Sequence, residues 1–169
     1  SFLRHDNFYT GRYDLGNMDQ TVWNTINGRI FQTIDEDGNI ISRLSFHADF
    51  ILILLSPLYL LWENPKTLLF AQTLILALGS LFVYGISENL LKNKNLSLMF
   101  GIIYLLNPAL ELTNLYDFHA VTFATTFLLG AFYFLIKNKI LFLLLFLILA
   151  GITKENIWLI NALFGIYTL

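Results

Sequence analysis

A chain of 169 residues with 56% hydrophobic and only 13% charged side chains lies outside the range of soluble domains, which average about a quarter charged. It has no cysteine, which excludes a disulfide framework, a thiolate nucleophile and a thiolate metal site. The formal net charge of −2 argues against nucleic acid as a partner.

The apolar excess falls after residue 50, in repeated runs of membrane length. The fold class expected is all-α: a polytopic membrane helical bundle preceded by a polar segment, residues 1–66. The chain starts at Ser1 and stops at Leu169 inside an apolar run, so a fragment of a longer chain is expected.

Residues 1–16 show no steady period and are expected to be irregular. Asn17 is a candidate N-cap, after which Met18, Val22 and Ile26 recur at helical spacing and Gly28 follows as a C′ residue. A short amphipathic helix over 17–27 is predicted. It is too short and too polar to span, and so belongs in the membrane interface with Trp23 at headgroup level. Asp35-Glu36-Asp37-Gly38-Asn39 between two Ile-containing segments marks a turn, with a small hairpin expected around it. It does not read as a calcium loop, because with Asp35 as first ligand the twelfth position is Phe46 rather than Glu. Pro57 interrupts the run from His47 to Trp62, which predicts a broken interfacial helix over 47–62.

Spanning helices are expected at about 67–88, 96–110, 120–136, 140–153 and 157–169. The first covers roughly 33 Å at 1.5 Å per residue. Residues 111–119, ELTNLYDFH, read as a polar loop. Lys92, Lys94, Lys137 and Lys139 lie in two short links that contain no acid, so the positive-inside rule places both links in the cytoplasm. Residues 1–66, the 111–119 link and the Lys154–Asn156 break then fall on the outer side of the cell membrane. Of the twelve acids only Glu88 lies elsewhere, and His5, His47 and His119 share the outer side too. Lys154 and Glu155 interrupt the apolar stretch from Ile140 to Leu169. A deep charge there costs about 2.5–3.5 kcal/mol on insertion scales, so the pair is either a site or a turn between helices.

The series HD…YDLGNMDQ, WNTINGRIF, SRLSFHADF, SPLYLLW, NPKTLLFAQ, YLLNPALE, YDFHAV and TKEN resembles a family of predicted multi-pass membrane proteins of unknown function, grouped with the glycosyltransferase-C superfamily. The likeness runs from His5 to about Asn156. It implies a GT-C-like bundle whose long outer loop carries interfacial helices and catalytic acids. The activity it implies is transfer of a sugar from a polyprenyl-phosphate donor. This chain lacks a clear pair of adjacent acids after a first helix, and His5-Asp6 stands nearest that place.

Such chemistry needs a carboxylate to take the acceptor proton, a cation for the leaving phosphate and a groove for the prenyl chain. Asp14 is the first candidate for the base, with Asp19 and Asp6 after it; Asp14 could equally cap a turn, and Asp19 suits a first helical turn. His47, Asp117 and His119 carry side chains suited to a divalent ion such as Mg²⁺ or Mn²⁺. Arg12, Arg43 and Lys154 are the phosphate candidates, with Glu155 as a further site residue. Tyr13, Trp23, Tyr59 and Trp62 could stack on sugar or border the groove. The competing readings are a transporter or lipid flippase and a non-catalytic membrane protein of the same fold. The absence of an internal repeat and the gathering of acids on one side favour surface chemistry.

Overall fold

A computed structural model describes residues 1–7, 9 and 12–167, the side chains of Arg12 and Tyr167 excepted. In chain order the helices are α1 (Phe2–Asp6), α2 (Arg12–Ile26), α3 (Ile51–Leu55), α4 (Lys66–Leu91), α5 (Lys94–Leu105), α6 (Pro108–Tyr116), α7 (Phe123–Ile136), α8 (Ile140–Gly151) and α9 (Ile157–Tyr167). Two short strands, β1 (Gln32–Ile34) and β2 (Ile40–Ser42), lie between α2 and α3.

The N-terminal segment is more helical than its sequence suggests. α2 begins at Arg12 instead of residue 17, so Asn17 is an internal, buried position and not an N-cap. The helix is fixed by its apolar face: Leu15, Met18 and Val22 recur at i, i+3 and i+7 and all are buried. Gly28 ends it with φ +80°, as expected of a C′ glycine. The expected hairpin is present: β1 and β2 pair antiparallel with Thr33 opposite Ile41. Asp35 Oδ1 accepts from the backbone N–H groups of Asp37 and Asn39, at 3.0 and 2.8 Å, and so closes the turn. The 47–62 segment breaks as expected at Pro57, into α3 and a 3-10 turn, Ser56–Leu60.

The apolar half is built on α4, whose 26 residues make the longest helix and run for about 39 Å at 1.5 Å per residue. α5 and α7 both pack along α4, and α8 returns along α7. Close approach is allowed by glycine: a Cβ on Gly101 would stand 3.3 Å from the Ser80 carbonyl oxygen, and one on Gly130 would enter the Phe146 ring. The 111–119 stretch is not all loop. Asn107-Pro108 breaks the apolar run, Asn107 caps a new helix through Ala109 N–H at 2.9 Å, and α6 carries the chain to Tyr116.

Two helices, Lys66–Leu91 and the kinked Lys94–Tyr116, are long and apolar enough to cross a membrane; the other apolar helices, among them Ala120–Ile136 and Ile140–Gly151, have 10–17 residues. Their outward surfaces are strongly apolar: Leu141 is 75% exposed and Leu159 75%. Such faces suit lipid rather than water.

The two basic links lie at one end of the bundle. Asn89 Oδ1, near the end of α4, accepts from Lys92 Nζ at 3.5 Å and from Lys137 Nζ at 3.3 Å. The polar segment lies at the other end. There the main core joins α2, α3, Tyr59, the first turns of α4 (Leu68 and Leu69) and the α6–α7 link (Phe118 and Phe123). Full burial of each of these large side chains contributes about 1.5–3 kcal/mol.

Candidate functional site

At the polar end a cavity of about 260 Å³ opens between four stretches of chain. Helix α2 contributes Asp14 and Met18; the segment from β2 to α3 contributes Arg43, His47 and Asp49. The α6–α7 link contributes His119, and the α8–α9 link contributes Thr153 and Lys154.

The floor is a buried ion pair. Arg43 is 4% exposed and Asp49 2%. Arg43 Nη2 donates to Asp49 Oδ2 at 2.7 Å and Nε donates to both carboxylate oxygens at 3.1 Å. Its remaining arm, Nη1, donates to Asn17 Oδ1. The planar fork is thus spent on two protein acceptors. This arrangement welds the segment after β2 to the middle of α2. Arg43 therefore neutralises Asp49 and locks the wall, while it also lines the cavity.

The α6–α7 link is held from below by Gln72, which is fully buried on α4. Gln72 Nε2 donates to the Asp117 carbonyl at 2.8 Å, and Gln72 Oε1 accepts from His119 N–H at 2.8 Å and from the Thr122 hydroxyl at 3.1 Å. So fixed, His119 brings Nε2 to 3.3 Å from Asp14 Oδ2, and Tyr116 stacks on its ring at 5.8 Å between centroids. Asp117 itself is only 1% exposed. Its Oδ1 accepts from Phe118 N–H at 2.8 Å, the Leu15 backbone also acts on the carboxyl, and Oδ2 makes no close hydrogen bond among the described residues. Burial pushes its carboxyl above the usual range, against the pull of the Phe118 N–H.

The third wall is clasped by Glu155. Its Oε2 accepts from Ala48 N–H at 3.0 Å, and Oε1 lies 3.0 Å from His47 Nδ1. The Ala48 N–H is the main reason that the Glu155 carboxyl is pulled down to about 2, with His47 adding to it. The backbone supports the same junction, where Ile51 N–H donates to the Ile152 carbonyl at 2.9 Å. Lys154, the residue before Glu155, lines the cavity and is only partly exposed. Among the described residues its ammonium makes no ion pair or hydrogen bond.

The expected site residues thus separate into groups. Asp14, His47, His119, Arg43 and Lys154 meet at the cavity, and Glu155 braces its edge. Asp19 does not join them: it lies five residues after Asp14 on another face of α2, where the Tyr59 hydroxyl donates to Oδ1. Burial raises its carboxyl, and the Tyr59 hydrogen bond lowers it in part. Asp6 pairs instead with Lys66 at 2.6 Å, at the start of α4. The Arg12 side chain lies outside the described residues. Of the aromatics, Trp23 donates to Glu63 and stacks with Arg29, while Trp62 packs edge-on against Phe2. The expected ligand set of His47, Asp117 and His119 does not converge. His47 is engaged by Glu155, and among the described residues no group of three His, Cys, Asp or Glu side chains is arranged to hold a metal ion.

Asn17, Asp49 and Gln72 belong to this architecture and were not among the expected site residues. Gln72 had a visible signal, an amide inside the apolar run LLFAQTLILAL. Asp49 had a weaker one, a carboxylate directly before FILILL.

A helical assembly with apolar outer faces, a polar segment at one end and two basic links at the other defines a membrane-type protein. Residues 4–169 match the model of DUF2079, a family of predicted membrane proteins, and the chain belongs to that family. No curated protein and no solved structure matches it.

Proposed function

We propose that this protein is a membrane-embedded glycosyltransferase of GT-C type, transferring a sugar from a polyprenyl-phosphate donor at the outer face of the cell membrane. The observation that carries the reading is the meeting of a carboxylate–imidazole pair, Asp14 and His119, with the Lys154 ammonium, unpaired among the described residues, in one cavity at the polar end of apolar helices. Two of the three requirements of the reaction are thereby present in one place.

The division of labour follows from the chemistry. Asp14 takes the proton of the acceptor hydroxyl as the acceptor oxygen bonds to the anomeric carbon. The bond from that carbon to the phosphate oxygen breaks with its electron pair, and Lys154 neutralises the polyprenyl phosphate that leaves. His119, fixed through its backbone by Gln72, orients Asp14. Asp19 and Asp6, engaged by Tyr59 and Lys66, are not needed as the base. Among the described residues no three His, Cys, Asp or Glu side chains gather as metal ligands, and the roles above are assigned to protein groups. The outer placement rests on the four lysines of the two basic links.

The test is transfer of radiolabelled sugar from polyprenyl-phosphate sugars in membranes containing the full-length protein. Asp14→Asn and Lys154→Ala are expected to lower transfer by at least about 100-fold, on the scale of lost acid–base or electrostatic catalysis. Asp19→Asn is expected to stay within a few-fold of wild type. Lipid movement without transfer, insensitive to Asp14→Asn, would replace the enzyme with a flippase. A reporter fused after Lys94 that is found outside the cell would overturn the sidedness.

A further inference from the structure

The end of the bundle opposite the polar cavity carries one tripeptide twice: Lys92-Asn93-Lys94 between α4 and α5, and Lys137-Asn138-Lys139 between α7 and α8. All four lysines are exposed, and Glu88 is the single acid in these links and the helix ends beside them. Among the described residues none of the four lysines pairs with a carboxylate.

Both links are held by their own hydrogen bonds. Lys92 closes α4 in the left-handed region at φ +54°, with its N–H on the Glu88 carbonyl at 3.0 Å. Asn138 takes the same conformation after α7, also at φ +54°, with its N–H on the Leu135 carbonyl at 3.0 Å. Asn93 Oδ1 accepts from the Asn95 and Leu96 N–H groups, both at 3.1 Å, and so starts α5. The backbone under the lysines is therefore set by the fold.

The two hairpins each aim one lysine at the same oxygen. Lys92 Nζ donates to Asn89 Oδ1 at 3.5 Å and Lys137 Nζ donates to it at 3.3 Å, so the two nitrogens stand within about 7 Å of each other, where like charges repel. An amide oxygen is only partly charged and does not neutralise them. Each ammonium has three donors, and Asn89 takes one. An anion with two free oxygens, such as a phosphate diester, can accept from both ammoniums at once.

The surroundings decide which phosphate. Leu90 and Leu91 before the first link, and Ile140 and Leu141 after the second, are all exposed. A pair of cations bordered by exposed leucine and isoleucine suits an anionic head that carries hydrocarbon chains. A nucleotide brings the charge without the chains, and a zwitterionic lipid sets its own ammonium against the lysines. Four lysines at the foot of apolar helices match the anionic surface of a bilayer.

We infer that the two Lys-Asn-Lys links form one headgroup site for an anionic phospholipid, whose phosphate bridges Lys92 and Lys137 and ties the α4–α5 hairpin to the α7–α8 hairpin. The site is separate from the polar cavity and does not depend on the reaction proposed there.

The experiment titrates the purified full-length protein, in a neutral detergent, with phosphatidylglycerol or phosphatidylcholine and counts bound lipid by native mass spectrometry. Phosphatidylglycerol is expected to bind at least about tenfold more tightly than phosphatidylcholine. Lys92→Gln/Lys137→Gln is expected to weaken it at least about tenfold, whereas Lys94→Gln/Lys139→Gln, which removes the same charge, weakens it less than about threefold. Lys92→Arg/Lys137→Arg keeps the affinity. In the wild-type protein, phosphatidylglycerol should slow acetylation of Lys92 and Lys137 at least about fivefold and leave Lys94 and Lys139 within about twofold. That measurement decides the matter even if the Gln pair fails to fold. Equal binding of the two lipids, equal loss from the two lysine pairs, or protection that does not single out Lys92 and Lys137 overturns the inference. Displacement of phosphatidylglycerol by an equal concentration of inorganic phosphate overturns it too, and makes the links a site for a soluble anion.

Discussion

Arg43 and Asp49, six residues apart on an irregular stretch, form a two-pronged ion pair at 2.7–3.1 Å with both side chains at most 5% exposed. A 3-10 turn, Arg43–Ser45, opens the stretch, the Arg43 carbonyl accepts from the Phe46 and His47 N–H groups at 2.9 and 3.1 Å, and the ion pair closes the loop that carries His47 to the cavity. Removing one partner leaves the other charged and buried. Asp49→Ala and Arg43→Ala are each expected to cost about 3–5 kcal/mol, read as a large fall in melting temperature in detergent. The double variant is expected to lose clearly less than the sum of the single losses. Additive losses would mean that the two groups do not depend on each other.

Gln72 is the next lever. Gln72→Leu keeps an apolar helix apolar but leaves the Asp117 carbonyl and the His119 N–H without partners in a buried place. At about 1–3 kcal/mol for each of the two stranded groups, the expected cost is about 2–6 kcal/mol. Amide exchange at His119 should accelerate as well. A Leu variant as stable as wild type, with unchanged exchange, would show that the link holds without its clamp.

Glu155 gives a pH signature. Its folded pKa of about 2 lies below the ordinary 4.5, so the unfolded chain binds the extra proton between these values. Its contribution is complete above about pH 4.5 and is lost as pH falls towards 2. The side chain is 50% exposed, and after solvent screening the contribution is about 1 kcal/mol. Glu155→Gln should be less stable than wild type at pH 7 and nearly equal to it near pH 2. A gap that stays constant over that range would rule out the Ala48 and His47 contacts as its source.

Asp19 carries the opposite sign. Its carboxyl is raised above 3.8 chiefly by burial, so above that pH the native chain holds the extra proton. Stability falls as pH rises through the folded value, and Asp19→Asn removes that slope while its amide oxygen can still accept from Tyr59. Plotted against pH, the wild-type-minus-variant melting temperature should decline from pH 3.8 upwards and then level off. Tyr59→Phe, which deletes the hydrogen bond that partly lowers the carboxyl, should leave the onset in place and extend the decline to higher pH. A flat difference for Asp19→Asn would show that the carboxyl is not raised.

Much of this architecture was legible because it depends on short-range rules. Gly28 ends α2, Pro57 breaks the 47–62 run, and the Asp35–Asn39 turn closes its hairpin with its own side chain. The start of α2 was hidden by Gly16, which costs a helix about 1 kcal/mol. That loss is offset by burying Leu15, Met18 and Val22 against segments distant in sequence. α6 was hidden because ELTNLY is polar for a span, although Asn107-Pro108 is a sound helix start. Within the site, residue types were readable but pairings were not. Asp14, Asp19 and Asp6 look alike in sequence, and only packing separates the acid beside His119 from those held by Tyr59 and Lys66.

The shared acceptor at Asn89 has a consequence for how the chain can be inserted. Lys92 and Lys137 belong to different helical hairpins, yet both reach the same amide oxygen. Lys92 lies beside Asn89 in the α4–α5 hairpin and Lys137 comes from the α7–α8 hairpin, so the shared oxygen ties the two hairpins together with their basic links at the same end; in a membrane the two would have to share one orientation.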